Sequence, residues 1–337
     1  MRIVLERVEP WYDDLASCLH STLASVVAHR QLDPLVVLGS GWTFAYSPGE
    51  WAPAEFFYPA LGGSLAATLA PHQPLSIVWR EPGSPEEAEQ ELVAALAGGR
   101  PAIVAVDNYW LPFRPAFRDV HAAHLVVVYG HDSERGSFAV LDAVPPAFRG
   151  WISRETLARA RGSDNPAADD EAFFRGAPIA NRWLDVDVDG AVSEVEPEWL
   201  GRVVAGNLAH MLGPSGETTW TGLAGVRRYV EWLAERAAAE DGEPALKEAY
   251  GFGWAPQASA ALHGAFLHAA GLRLDAPGLR EAARTVDLVA HAWTPLRVGA
   301  GHAVSDPPAA AGYLARRGRA LVTAYEAAID RLRELAA

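Results

Sequence analysis

The chain of 337 residues has a single cysteine, Cys18, so no disulfide can form within it and no all-cysteine metal site can exist. Lysine is nearly as scarce: Lys247 is the only one, and every other basic residue is arginine. Positive charge is the minority sign, 28 basic against 42 acidic residues for a net charge of −14. No basic stripe marks a nucleic-acid surface, and the acidic excess serves solubility. Long apolar runs are missing too. Leu125-Val126-Val127-Val128 is typical in length, far from the roughly 18 residues of a membrane span. Met1 to Arg7 lacks the apolar stretch and small-residue cleavage site of a secretory signal, so a cytoplasmic location is expected, with the lone thiol reduced. No internal repeat is visible. Glycine (30) and proline (24) are too few for a low-complexity chain, and a 50% hydrophobic composition is that of an ordinary globular protein.

What is present divides the chain in two. The first part alternates short β-branched runs with a few helices. Leu35–Leu38, Leu75–Trp79, Ala102–Val106, Leu125–Tyr129 and Phe138–Leu141 read as strands bounded by Gly, Pro or Asp. Asp13–Arg30 reads as a helix with Leu15, Leu19, Leu23, Val26 and Val27 on one stripe and Asp13 or Asp14 as its cap. Pro85–Gly98 reads as a second helix, with proline and two glutamates at its start and glycine at its end. Segment 162–178 is polar and acidic and reads as a mobile loop, and Arg182–Val188 as a closing strand. Beyond about residue 190 the chain becomes alanine-rich and helix-periodic. Helices are expected over 197–212, 220–240, 256–270, 278–291 and 307–336. The reading is an α+β domain over 1–190 followed by an all-α domain over 191–337.

One constellation carries chemistry. Cys18 lies in the first two turns of the expected Asp13–Arg30 helix, where the helix dipole favours a thiolate. The plain alternative is a buried small hydrophobe. His121-Ala122-Ala123-His124 leads into the strand at Leu125, and the residues 131–136 form a turn before the next strand, which ends at Asp142. A hairpin centred on Ser133 places Asp142 opposite His124 or one residue away, within reach of the imidazole. Cysteine on a helix, histidine on a strand and a carboxylate on the neighbouring strand is what nucleophilic thiol catalysis requires. His121 and His124, three apart at a strand entry, do not form a metal pair and no further ligand cluster accompanies them, so no metal and no cofactor is expected. Asp107 and Tyr109 end a strand. They read either as the lining of a pocket for a protonated amine or as a plain turn.

These residues resemble a family. Cys18-Leu19-His20-Ser21-Thr22-Leu23, Gly39-Ser40-Gly41-Trp42-Thr43-Phe44-Ala45-Tyr46, Val106-Asp107-Asn108-Tyr109-Trp110-Leu111-Pro112 and the stretch His124 to Asp142 are similar to the butirosin biosynthesis protein H family, over most of residues 10–162. The resemblance implies a papain-like cysteine-protease fold used for acyl transfer. It makes Cys18 the nucleophile, His124 the base and Asp142 its orienting carboxylate. The expected reaction moves an acyl or aminoacyl group from a carrier-protein or CoA thioester to a small amine in specialised-metabolite (antibiotic) biosynthesis. Arg149, Arg154, Arg159 and Arg161 then read as either a docking patch for an acidic carrier protein or a solvated helix face. A cysteine peptidase or amidase and a non-catalytic binding protein remain the alternatives; neither nucleic acid nor membrane is an expected partner, and homo-oligomerisation stays open.

Overall fold

The structure, a computed structural model, describes residues 1–54, 56–167, 173–239 and 241–336. It is mixed α/β, about half helical, with an antiparallel sheet in one part and a helical C-terminal region. The strands are β1 (Arg2–Val4), β2 (Ala45–Tyr46), β3 (Leu75–Arg80), β4 (Ala102–Asp107), β5 (Ala123–Asp132), β6 (Ser137–Asp142), β7 (Phe148–Ser153), β8 (Trp183–Val188) and β9 (Trp220–Thr221). The helices are α1 (Cys18–His29), α2 (Pro34–Leu38), α3 (Leu65–Leu69), α4 (Pro85–Ala97), α5 (Arg154–Arg161), α6 (Pro197–Leu212), α7 (Gly222–Ala238), α8 (Glu243–Phe252), α9 (Trp254–Arg273), α10 (Pro277–Ala303) and α11 (Pro307–Ala336).

Two compact units emerge, and neither is one continuous stretch. The first comprises residues 1–34, 52–56 and 75–190; the second comprises 35–51, 57–74 and 191–337. The change of composition near residue 190 coincides with one division, but two early segments also belong to the helical unit.

In the first unit, seven strands form one sheet in the order β3-β8-β4-β5-β6-β7, with β1 pairing beside β4 on β5; every pairing is antiparallel. Val104 and Val106 of β4, Val126 and Val128 of β5, and Phe138 and Val140 of β6 alternate onto one face. There they pack against Leu92 and Leu96 of α4 and Leu157 and Ala160 of α5. Helix α4 starts and stops as its sequence dictates: the Ser84 hydroxyl accepts from the Glu87 amide, proline opens the first turn, and Gly98 caps the end. Helix α1 packs on β5 and β4, and ten of its twelve residues are buried. It is a helix enclosed on nearly all sides, which explains why its apolar stripe was only part of its buried surface.

The second unit is helical. Trp42 stacks against His263 and Tyr325, with ring centroids 5.8 and 5.6 Å apart, and the Trp293 indole donates to the Tyr325 hydroxyl at 3.0 Å. Gly39 and Gly41 are packing positions: a Cβ on Gly39 would lie 2.6 Å from the Leu262 carbonyl, and one on Gly41 2.5 Å from Pro71. The His263 ring donates from Nδ1 to the Gly39 carbonyl at 2.8 Å, and Asn207 donates to the Ser40 carbonyl at 2.9 Å. The Gly39-Ser40-Gly41-Trp42 segment is thus locked into the helical unit by close approach.

Three expectations need correction. Leu35–Leu38 is not a strand but lies within helix α2, opened by Pro34. Helix α1 begins at Cys18 rather than Asp13, because the Asp13 carboxylate accepts from the Leu15 amide and holds a turn before the helix starts. A further helix, α8, occupies a stretch read as a break. Of the loop expected over 162–178, residues 168–172 lie outside the described residues. Among the others, Ser163 and Asn165 are buried, and Asn165 donates to the Phe174 and Ala177 carbonyls.

Candidate active site

Cys18 is the first residue of α1, with Ser17 as the N-cap. The first-turn amides of a helix have no intrahelical partners and carry the positive end of the dipole. A cysteine at this first position takes the full effect, more than the first two turns of a longer helix would give. The thiol is 1% exposed. His20, on the same turn, is fully buried, and desolvation holds its ring down at about 3, so it stays neutral. Its Nδ1 lies 3.3 Å from the Ser17 hydroxyl.

His124 sits near the start of β5, the strand on which α1 packs, opposite Val106 of β4. Its Nε2 donates to Asp142 Oδ2 at 3.0 Å, and both side chains are completely buried. The hairpin reaches this contact by a different register from the expected one. From the turn, Asp132 faces Ser137, His131 faces Phe138 and Gly130 faces Ala139; then Tyr129 is an extra residue, and Val128 faces Val140 and Val127 faces Leu141. Continuing this ladder sets Asp142 level with Val126, two residues from His124 rather than opposite it or one away. An offset of two keeps both side chains on the same face. Without the bulge Asp142 would align with Val127, and the two would point to opposite faces.

The Asp142 carboxylate is fully engaged. Oδ2 also accepts from Arg114 Nη1 at 3.1 Å, and Oδ1 from the Val144 amide at 3.0 Å. Arg114 in turn donates to the Val144 carbonyl at 3.0 Å, clamping the end of the hairpin. Sequence reasoning missed Arg114, because a lone arginine between Phe113 and Pro115 shows no pattern and its partner is 28 residues away.

A second histidine–carboxylate pair stands beside the first. Asp107, at the end of β4, is fully buried; its Oδ2 accepts from His121 Nδ1 at 2.6 Å and from the Ser163 hydroxyl at 2.6 Å. Its Oδ1 accepts from the Tyr109 and Ala122 amides at 3.0 and 3.2 Å. Tyr109 stacks on the His121 ring with centroids 4.0 Å apart and planes 10° off parallel. His121, 18% exposed, and the half-buried Tyr109 are the side chains of this set that reach solvent. Ser163 could not be found from the sequence, since it lies in the segment that read as loop.

The four arginines read as either a docking patch or a helix face have local partners. Arg149, Arg154 and Arg159 pair with Glu9, Glu89 and Glu155. Arg161 is buried, donates to the Ala88 and Asn181 carbonyls, and is drawn down to about 10 by desolvation. No group of three or more His, Cys, Asp or Glu side chains among the described residues could hold a metal ion. No helix among them is long and apolar enough to cross a membrane.

An antiparallel sheet joined by a helix that starts at a cysteine, with a buried histidine–aspartate pair on the adjoining strands, places the chain among α+β proteins with a candidate cysteine–histidine–carboxylate set. Residues 17–143, which include all three, match the family described as butirosin biosynthesis protein H, N-terminal. The family found is the one the sequence resembles. No curated protein matches the chain.

Proposed function

We propose that the chain is a thiol-dependent acyltransferase of papain-like architecture in natural-product biosynthesis. At the coarser level, the family match supports an enzyme related to antibiotic biosynthesis. The observation that carries the finer reading is the His124–Asp142 contact on the strand against which the Cys18 helix packs.

In this reading Asp142 fixes the proton on Nε2 of His124, and Nδ1 serves as the base for Cys18. The thiol proton passes to Nδ1 as the sulfur attacks the carbonyl carbon of an acyl thioester. The amide of Cys18 and its neighbours at the start of α1 receive the developing oxyanion. The donor thiol leaves with the proton from the imidazolium, and the acyl group remains on Cys18 as a new thioester, an exchange near thermoneutral. An amine then attacks the acyl-enzyme, loses its proton to His124, and departs as the amide while the Cys18 thiol is restored. Arg114 holds Asp142 in place. Asp107 and Tyr109 are assigned to the acceptor side through His121, which Asp107 orients and Tyr109 stacks. The donor is an acyl carrier protein or CoA thioester, because burial of Cys18 suits a narrow thioester arm rather than a folded polypeptide.

Mixing the protein with an acyl-CoA or acylated carrier protein and recording the intact mass tests this: one acyl group should add to the wild type and none to Cys18→Ala. An adduct of equal yield on both would remove the reading.

A further inference from the structure

The helical unit contains a buried cation with no carboxylate counter-ion among the described residues. Arg297, on α10, is 6% exposed, and no described carboxylate lies within ion-pair distance of it. Its Nε donates to the Gln257 Oε1 at 3.3 Å and the guanidinium also hydrogen-bonds the Tyr250 side chain, while Nη1 is buried and has no partner among the described residues. Removing a guanidinium from water without a compensating anion is among the most unfavourable arrangements a folded chain can hold.

The surroundings hold this group in a defined plane. Its Cζ lies 3.6 Å from the centroid of the Trp254 ring and 5.0 Å from that of Tyr250. Gly253, at the junction of α8 and α9, supplies the room: a Cβ there would come within 3.0 Å of Arg297 Cδ. The backbone at Gly253 is ordinary right-handed helix, so glycine is favoured there by close packing, against the arginine stem and, equally at 3.0 Å, the Ala249 carbonyl.

Two further buried groups at this place have no hydrogen-bond partner among the described residues. The Trp254 indole N–H belongs to the ring on which Arg297 stacks, and the Thr294 hydroxyl lies three residues before Arg297, on the same side of α10. A guanidinium N–H, an indole N–H and a hydroxyl are all able to donate, and the first two can do nothing else. The complement to such a set is a group rich in acceptors and negatively charged.

We propose that the helical unit binds an oxyanion, a carboxylate or a phosphate monoester, at Arg297, Trp254 and Thr294. The guanidinium takes the anion with its fork, the indole N–H adds a second donor, and the ring faces of Trp254 and Tyr250 wall the site. The site is independent of the cysteine chemistry and is read without turnover.

The test is thermal unfolding of the full chain with inorganic phosphate and, separately, acetate, each against sodium chloride of equal ionic strength. At least one anion should raise the melting temperature saturably, and which one does so separates a phosphate from a carboxylate ligand. Arg297→Met and Trp254→Phe should weaken the response tenfold or more. Arg297→Lys, which keeps the charge and loses the fork, should lose most of it and decides the matter if Arg297→Met does not fold. No saturable rise with either anion, or an undiminished response in a folded Arg297 variant, overturns the proposal.

Discussion

His124 and Asp142 share a face of the sheet because Tyr129 is one residue too many. The bulge converts an odd offset into an even one and brings the His124 Nε2 to 3.0 Å from the carboxylate. A device of this kind re-aims a side chain without altering either strand's composition, and it stands between the turn and the candidate site.

The first prediction concerns this pair. In the proposed reaction His124→Ala abolishes acylation of Cys18, since no other base is assigned to the thiol. Asp142→Asn slows it by about 10³- to 10⁴-fold by stabilising the wrong tautomer. Single-turnover acylation rates measure both; rates equal to wild type in both variants would remove the pair from the mechanism.

Arg114 contributes through Asp142. Arg114→Met deletes a charge-assisted hydrogen bond to Oδ2 and the contact to the Val144 carbonyl. Such bonds are worth about 1.5–3 kcal/mol, so acylation should fall by about 10- to 100-fold. Arg114→Lys should recover part of the loss. If Arg114 merely braced the fold, the rate per folded molecule would stay at the wild-type value.

Asp107 ties together four donors from three parts of the first unit. Asp107→Ala leaves two half-buried amides, the Ser163 hydroxyl and the His121 ring without their acceptor. The expected loss is about 3 kcal/mol of stability, seen as a lower urea midpoint. A midpoint within experimental error of the wild type would show that this network is not a structural node.

Acid should destabilise the protein in a defined window. Burial holds His263 at about 4 and His20 at about 3, against 6.5 for the unfolded chain. Between these values the unfolded state binds protons that the folded state refuses, so stability is full above about pH 6.5 and falls as pH drops toward 4. Each histidine contributes up to about 1.4 kcal/mol per pH unit within that window. His263→Asn, whose amide can still donate to the Gly39 carbonyl, should flatten the decline in chemical-denaturation experiments between pH 6.5 and 4.5. An unchanged slope would assign the acid sensitivity elsewhere.

Much of this was legible in the sequence where local chemistry decides. Ser84, Pro85 and Gly98 mark both ends of α4, and Pro197 and Pro307 open α6 and α11 at the residues expected. Cys18, His124 and Asp142 could be singled out because few residue types perform thiol chemistry and the hairpin brings two of them near each other. Tertiary effects were not legible. A four-residue apolar run such as Leu35–Leu38 suits a buried strand or a buried helix equally, and packing of Val37 and Leu38 in the helical unit chose the helix. The bulge at Tyr129 leaves no mark on composition. Arg114, Ser163 and the stacked Arg297 acquire their roles from contacts 28, 56 and 43 residues away in the chain, the last between Arg297 and Trp254.

The most direct test of the account is the intact mass of the protein after exposure to an acyl thioester. The wild type should gain the mass of one acyl group, the modified peptide should contain Cys18, and a small primary amine should discharge it as an amide. A wild-type protein that stays unmodified by CoA and carrier-protein thioesters alike, or that acquires its label on a residue other than Cys18, would contradict the assignment of this sulfur as the nucleophile.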